Sequence, residues 1–251
     1  NSSSCSQYLP GILKIGTNLS LSPIANTEGL VGYWKFDEGE STTTTDSSDN
    51  NNIGTLTNGP SWTTGKLGNA LSFDGVNDSI LIANSDSLSF GTGSFTIIVW
   101  ANLKDYTYPR TTFNIKKANK CYTVGAEHIG FDIGHHYTSY GSEFCLNNGT
   151  NLVREDFTFD VGFRPEDTKN EWSHFAYIFD RANDLIKAYV NGTKQTNEMD
   201  ISSVTGSINN TGNMQISNIY GWQTDGYLDD VRIYNRALSP AEIKAIYDAT
   251  K

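Results

Sequence analysis

The sequence is short of the residues that several protein classes require. Its 251 residues hold only three cysteines, Cys5, Cys121 and Cys145, and no two of them form a Cys-x-x-Cys pair. That argues against a zinc site. No stretch reaches the ~18 apolar residues that span a bilayer, so no membrane-spanning helix is expected. Lys and Arg number 18 against 28 Asp and Glu, a formal net charge of -10. Such a surface repels phosphate backbones and anionic lipid, so nucleic acid is not an expected partner. The residues that dress exposed helices, Lys and Glu, are scarce. Gly-x-Ser-x-Gly elbows and phosphate-cradling glycine loops are absent. The chain starts at Asn1 without an initiator Met, which reads as a processed or trimmed product.

What is abundant is Ser, Thr, Asn and Gly, with apolar residues in short alternating runs. This favours strands joined by many turns. Residues 1–28 form a lead-in, in which Leu13, Ile15, Thr17, Leu19 and Leu21 alternate with polar or small residues as in a half-buried strand. Strands are expected over Leu30 to Phe36, on either side of a tight turn at Asp74-Gly75-Val76-Asn77-Asp78, and along Phe95, Ile97 and Val99. Further faces are Phe175, Tyr177, Phe179 and then Ile186, Ala188, Val190, the latter ending at an Asn191-Gly192 hairpin signal. Met214 to Ile219 and Tyr227 to Tyr234 complete the set. Residues 104–170 are less regular and read as an elaboration between strands, with short strands of its own. Ser239-Pro240-Ala241-Glu242 is a capping box opening a terminal helix, with Ile243, Ile246 and Tyr247 as its apolar stripe.

Five runs carry a family resemblance: GLVGYWKFDEG, GNALSFDGVNDSILI, SFTIIVWANL, WSHFAYIFDRANDLIKAYVNG and LDDVRIYNRALSPAEIKAIY. In this order they resemble the bacterial laminin-G-like, concanavalin A-like lectin/glucanase family, and the last run is similar to the ending of pentraxins. The likeness covers residues 29–103 and 171–251. It implies an all-β, two-sheet antiparallel jelly-roll sandwich spanning 29–251, with one short C-terminal helix. It further implies a secreted or cell-surface location, and binding, adhesive or structural roles, often with calcium. The ligand is not inherited with the fold.

Glucanases of this fold place acids as Glu-x-Asp-x-x-Glu on one strand, and that motif is absent. Glu155, Asp156 and Asp160 have the wrong spacing, and Glu127 and Asp132 lack a partner at the right offset. A non-catalytic chain is expected. His135 and His136 are adjacent on a strand and point to opposite faces, so they do not ligate one ion together. His174 reads as a packed, hydrogen-bonded histidine.

Calcium takes six to eight oxygens from carboxylates, amides and carbonyls on turns. The candidates are Asp74, Asn77 and Asp78 in the first turn, and Asp225 with Asp229 near the last strand; Asp46, Asp49 and Asn51 form a weaker third loop. In a strict period of two, Tyr227, Asp229, Val231 and Ile233 share a face, which puts Asp229 on the apolar side. The pentraxin likeness also implies ligands near Asn77, Asp78 and Asp225. The alternative is that Asp74 and Asn77 shape an Asx turn and Asp229 accepts backbone N–H groups. For sugar, Tyr220, Trp222 and Gln223 offer aromatic faces and polar groups in one loop, with Trp62 as a second candidate or an edge-packing residue. A Cys121–Cys145 disulfide would close a loop of about 25 residues.

Two functional readings follow. The first is an extracellular binding or adhesion module, calcium-stabilised, holding a glycan or surface polymer. The second is a subunit of a filament or pilus-like assembly of copies of itself, with its lead-in strand docked on a neighbour and Cys5 left over for pairing.

Overall fold

The computed structural model describes residues 27–104, 114–117, 124–125, 128–136, 141–160, 169–217 and 223–251. The lead-in strand over 13–21, Cys5, Cys121, Tyr220 and Trp222 lie outside the described residues.

The described strands, in chain order, are β1 (Leu30–Trp34), β2 (Thr43–Thr44), β3 (Gly54–Thr57), β4 (Ser61–Thr64), β5 (Asn69–Asp74) and β6 (Ser79–Ile82). Then come β7 (Phe95–Leu103), β8 (Asn114–Lys117), β9 (Gly130–His136), β10 (Gly141–Asn147) and β11 (Leu152–Thr158). The rest are β12 (Trp172–Asp180), β13 (Leu185–Val190), β14 (Thr193–Asp200), β15 (Met214–Ile216) and β16 (Asp225–Tyr234), followed by helix α1 (Pro240–Thr250). They form two antiparallel sheets. The first runs β14-β13-β12-β7-β16-β5-β4, with β1 paired to the second half of β16. The second runs β11-β10-β9-β8-β15-β6-β3-β2.

Alternation decides which side chains meet between the sheets. Phe95, Ile97, Val99, Phe175, Tyr177, Phe179, Ile186, Ala188 and Val190 enter one core from the first sheet, as expected. Phe131, Ile133, Phe144, Leu146 and Phe157 meet them from the second. Phe90, Phe95 and Phe179 stack in sequence, with centroids 4.4 and 4.2 Å apart. Each such ring removed from water contributes about 1.5–3 kcal/mol. The buried Tyr177 hydroxyl reaches Ser142 Oγ across the core at 3.1 Å.

One part of the outer face of the first sheet is sealed by α1. Ile243 and Ile246 cover Ile98, Ala176, Ile178 and Tyr234. The expected capping box is present: Ser239 Oγ accepts from Glu242 N, and Glu242 Oε2 accepts from Ser239 N. Asn191 (φ 50°) and Gly192 (φ 75°) make the two-residue turn between β13 and β14, the left-handed pair that matches strand twist.

Three local readings of the sequence change. The Asp74–Asp78 turn does not close a hairpin: β5 pairs with β16 and β4 in one sheet, β6 with β3 and β15 in the other. The turn carries the chain from sheet to sheet, which two short alternating strands do not reveal. Residues 104–170 do not form a mere appendage, since β8–β11 build one half of the second sheet. Finally, β16 changes phase. Its pairing with β7 shifts between Asp229 and Arg232, and Asp230 has φ 50°. This bulge puts Leu228, Val231 and Ile233 in the core, and turns Tyr227 and Asp229 to the outer face.

Candidate functional site

The acidic turn is built mainly to satisfy its own backbone. Asp78 Oδ2 accepts from Asp74 N at 2.9 Å, and Asp74 Oδ1 accepts from Val76 N at 2.8 Å. Asp225 stands opposite Asp74 on the neighbouring strand, and Gly75 N donates to Thr224 O at 2.8 Å. Gly75 is needed here, because it has φ 73° and a Cβ would press against Asp225. Asn58 Nδ2 donates to the Asn77 carbonyl at 3.0 Å. Asp78 is buried and its Oδ1 has no partner. Burial raises its pKa, the Asp74 N–H offsets part of that, and the Asp74 charge raises it further. Asp74, Asn77, Asp78 and Asp225 thus gather at one end of the sandwich.

Asp229 does not join them. It lies four residues farther along β16, about 13 Å of strand away. Its Oδ2 accepts from Leu67 N at 2.8 Å, under the turn between β4 and β5, and it is fully buried. Gly65 lets that turn approach, since a Cβ there would meet Asp229 Oδ2 at 2.6 Å. Burial pushes the Asp229 pKa up to about 7; the Leu67 N–H offsets part of this and the Asp230 charge adds to it. Asp230 is tied to Arg232 by two bonds of 2.6 and 2.9 Å. Arg232 Nη2 in turn donates to the Tyr33 hydroxyl at 3.1 Å. In the third acidic loop both Asp46 oxygens are spent, accepting from Tyr33 N and Ser48 N on one side and from Ser48 Oγ and Asn52 N on the other.

Among the described residues no three His, Cys, Asp or Glu side chains converge to hold a metal ion. Calcium needs six to eight oxygens, and in the acidic turn Asp78 Oδ2 and Asp74 Oδ1 already accept backbone N–H groups. The oxygens left among the described residues do not make up a calcium cage.

A different arrangement stands beside the acidic turn, on the outer face of the first sheet. Directly opposed residues project to the same side. Trp172 and Tyr227 both stand opposite Asn102, Ser72 stands opposite Tyr227, and Ser61 opposite Ser72. The result is a row, Trp172, Asn102, Tyr227, Ser72, Ser61, drawn from five strands. All five are half-buried or exposed. The Trp172 and Tyr227 rings lean together over Asn102, with centroids 6.3 Å apart. Lys104 Nζ lies 4.2 Å from the Tyr227 ring centroid. Asp74 and Asp225 form the next row, so they become the rim of this strip. Gln223, half-buried, leads into it. On the other side the strip ends abruptly, for Trp100, His174 and Asp229 are at most 2% exposed.

Residues 73–244 match the laminin-G-like family described as the concanavalin A-like lectin/glucanases superfamily. The chain belongs to this superfamily. The lectin/glucanase fold recurs in solved structures. The binding domain of Paraclostridial Mosquitocidal Protein 1 is 19% identical, with a TM-score of 0.67 over 89% of this chain and 52% of that one. Domain 4 of AbnA, a GH43 extracellular arabinanase from Geobacillus stearothermophilus solved with arabinotriose, is 20% identical. Its TM-score is 0.58, over 87% of this chain and 98% of that one. The botulinum neurotoxin serotype D ligand-binding domain, solved with N-acetylneuraminic acid, is 13% identical, with a TM-score of 0.65 over 89% and 51%. The chain spans about half the length of the toxin binding domains. No curated protein matches it. Among the described residues no helix is long and apolar enough to cross a membrane.

Sequence reasoning missed Trp172, Asn102 and Tyr227 as candidate site residues in this domain of the lectin/glucanase superfamily. A signal existed: Trp172 and Asn102 fall in the outward phase of strands whose inward phase is Phe175 and Val99. Tyr227 was hidden by the bulge. Trp62 is half-buried, packs against the core edge and donates Nε1–H to Ser41 O at 2.9 Å, the packing role set out for it. His174 is packed between Trp100 and Tyr247 but not hydrogen-bonded through its ring, since both nitrogens lack partners. His135 and His136 are consecutive on β9, and their side chains lie outside the description. Cys145 is buried and is not a free thiol.

Proposed function

We propose that this domain is an extracellular, non-catalytic glycan-binding module, with the Trp172–Asn102–Tyr227 strip as its contact surface. The observation that carries this reading is the pair of accessible aromatic rings flanking an amide on a rigid sheet face. Aromatic faces take the C–H side of a sugar ring, and the amide, hydroxyls and rim carboxylates take its hydroxyl groups. Membership of a lectin/glucanase superfamily, and fold neighbours solved with arabinotriose or with N-acetylneuraminic acid, support it. Gln223, which leads into the strip, belongs to this proposal, and Tyr220 and Trp222 stay in it as neighbours in sequence that lie outside the described residues.

Hydrolysis would need a carboxylic acid with a raised pKa facing a cleft. The described carboxyls pushed upward, Asp78, Asp132 and Asp229, are at most 6% exposed, which supports a binding role. A groove of about 380 Å³ beside α1 contains Asp180 and Glu198, but each is paired, with Lys187 at 2.7 Å and Lys194 at 2.6 Å.

The test is glycan-array binding by the wild-type domain and by Trp172→Ala and Tyr227→Ala. Each variant is expected to lose at least about tenfold in affinity, roughly 1.4 kcal/mol, with the fold intact by circular dichroism. Binding that is indifferent to both substitutions sinks this assignment.

A further inference from the structure

We infer that the ligand is an uncharged, linear glycan chain that lies across the strands and is gripped along its interior, rather than a single terminal sugar. This rests on the glycan-binding reading above and goes further, to the class of glycan. The first observation is extent. The accessible row crosses β12, β7, β16, β5 and β4, which is four strand spacings of ~4.8 Å, or about 19 Å. That is longer than any single sugar ring. A site built for one terminal residue encloses it in a pocket; here, among the described residues, the contact residues form an open line.

The second observation is charge. None of the five side chains, Trp172, Asn102, Tyr227, Ser72 and Ser61, carries a charge. The rim beside them holds two carboxylates, Asp74 and Asp225, which accept hydroxyl hydrogen bonds and repel acidic sugars. The nearby cation, Lys104, is seated on the Tyr227 ring. The chain as a whole carries a formal charge of -10, which opposes any polyanionic polymer at long range. The third observation is direction. The sealed row of Trp100, His174 and Asp229 bars the ligand from turning along the strands toward α1. On that side a chain can follow the strip only across the strands.

Calorimetric titration with arabinose, arabinotriose, arabinohexaose and 3′-sialyllactose, backed by soluble neutral polysaccharides on native affinity gels, tests this. Affinity is expected to rise at least about tenfold from monosaccharide to hexasaccharide, or to appear only with the neutral polymers. Sialyllactose is expected not to bind. Ser61→Glu, an exposed change at the far end of the strip, is expected to weaken the longest ligands about tenfold and spare the short ones. Two outcomes overturn the inference while leaving the binding site standing: a monosaccharide or sialyllactose that binds as tightly as the longer chains in a Trp172-dependent way, or Ser61→Glu without effect on long chains. If no neutral glycan depends on Trp172 or Tyr227, the site assignment itself fails, and this inference with it.

Discussion

Both ring nitrogens of His174 are buried without a partner, and burial, then the Arg232 charge, lowers its pKa to about 3. An orphaned buried polar atom costs about 1–3 kcal/mol. His174→Phe keeps the aromatic contacts to Trp100 and Tyr247 and removes that cost. A gain of about 1 kcal/mol in urea unfolding is expected; a clear loss would mean that the nitrogens are hydrogen-bonded. Asp229 poses the opposite problem. Its folded pKa, about 7, is raised above the unfolded ~3.9. The stability gained from burying it neutral is complete below about pH 4 and is lost as pH rises through about 7. Asp229→Asn stays neutral throughout. Between about pH 5 and pH 8 the variant should gain on the wild type by on the order of 1–2 kcal/mol. A gap that does not change with pH would show that Asp229 is ionised at both values.

At the scale of elements, α1 closes part of the outer face of the first sheet, and its capping box sets where it begins. Ser239→Ala should cost about 1 kcal/mol and lower Tm by about 2–4 °C; an unchanged Tm would mean that packing alone holds the helix. This helix was legible in the sequence because Ser239, Pro240 and Glu242 are local signals that refer only to one another. The strand faces at Phe95–Val99 and Phe175–Phe179 were legible for the same reason, since alternation is written within each strand. Partnership between strands is not. Nothing in Asp74–Asp78 states that its two strands join different sheets. Nothing in residues 104–170 states that its polar, His-rich strands complete a sheet. Asp229 was given the wrong face because one left-handed residue, Asp230, breaks a period that the sequence continues without a glycine. The acidic turn could be read as a cluster, but the strip beside it needs the register of five strands.

For the whole molecule, the two sheets share one core. Calcium was expected to stabilise the loops, and among the described residues no three His, Cys, Asp or Glu side chains converge to hold it. Adding excess EDTA should move Tm by less than about 2 °C, and a larger drop would show that the acidic turn does hold a cation. The disulfide expected between Cys121 and Cys145 is tested at this scale too, and Cys145 is buried in β10 and is not a free thiol. With Cys121 and Cys145 paired, thiol titration of the denatured, unreduced chain should find only Cys5, and reduction should cost roughly 3 kcal/mol. A titration that finds all three thiols would remove that pairing.

The bulge in β16 makes that strand behave like a text with a frameshift in the middle. Its first half is spelled for β5 and its second for β1, and the two halves are in phase only because Asp230 occupies an extra place. Ironing the bulge flat with all ten residues of the strand in place would leave every later letter legible but facing the wrong page, with Val231 and Ile233 thrust toward the helix, whereas deleting Asp230 would restore strict alternation and keep Leu228, Val231 and Ile233 on the core side. What Asp230 adds to the strand is therefore its grip on Arg232, not the facing of the residues after it.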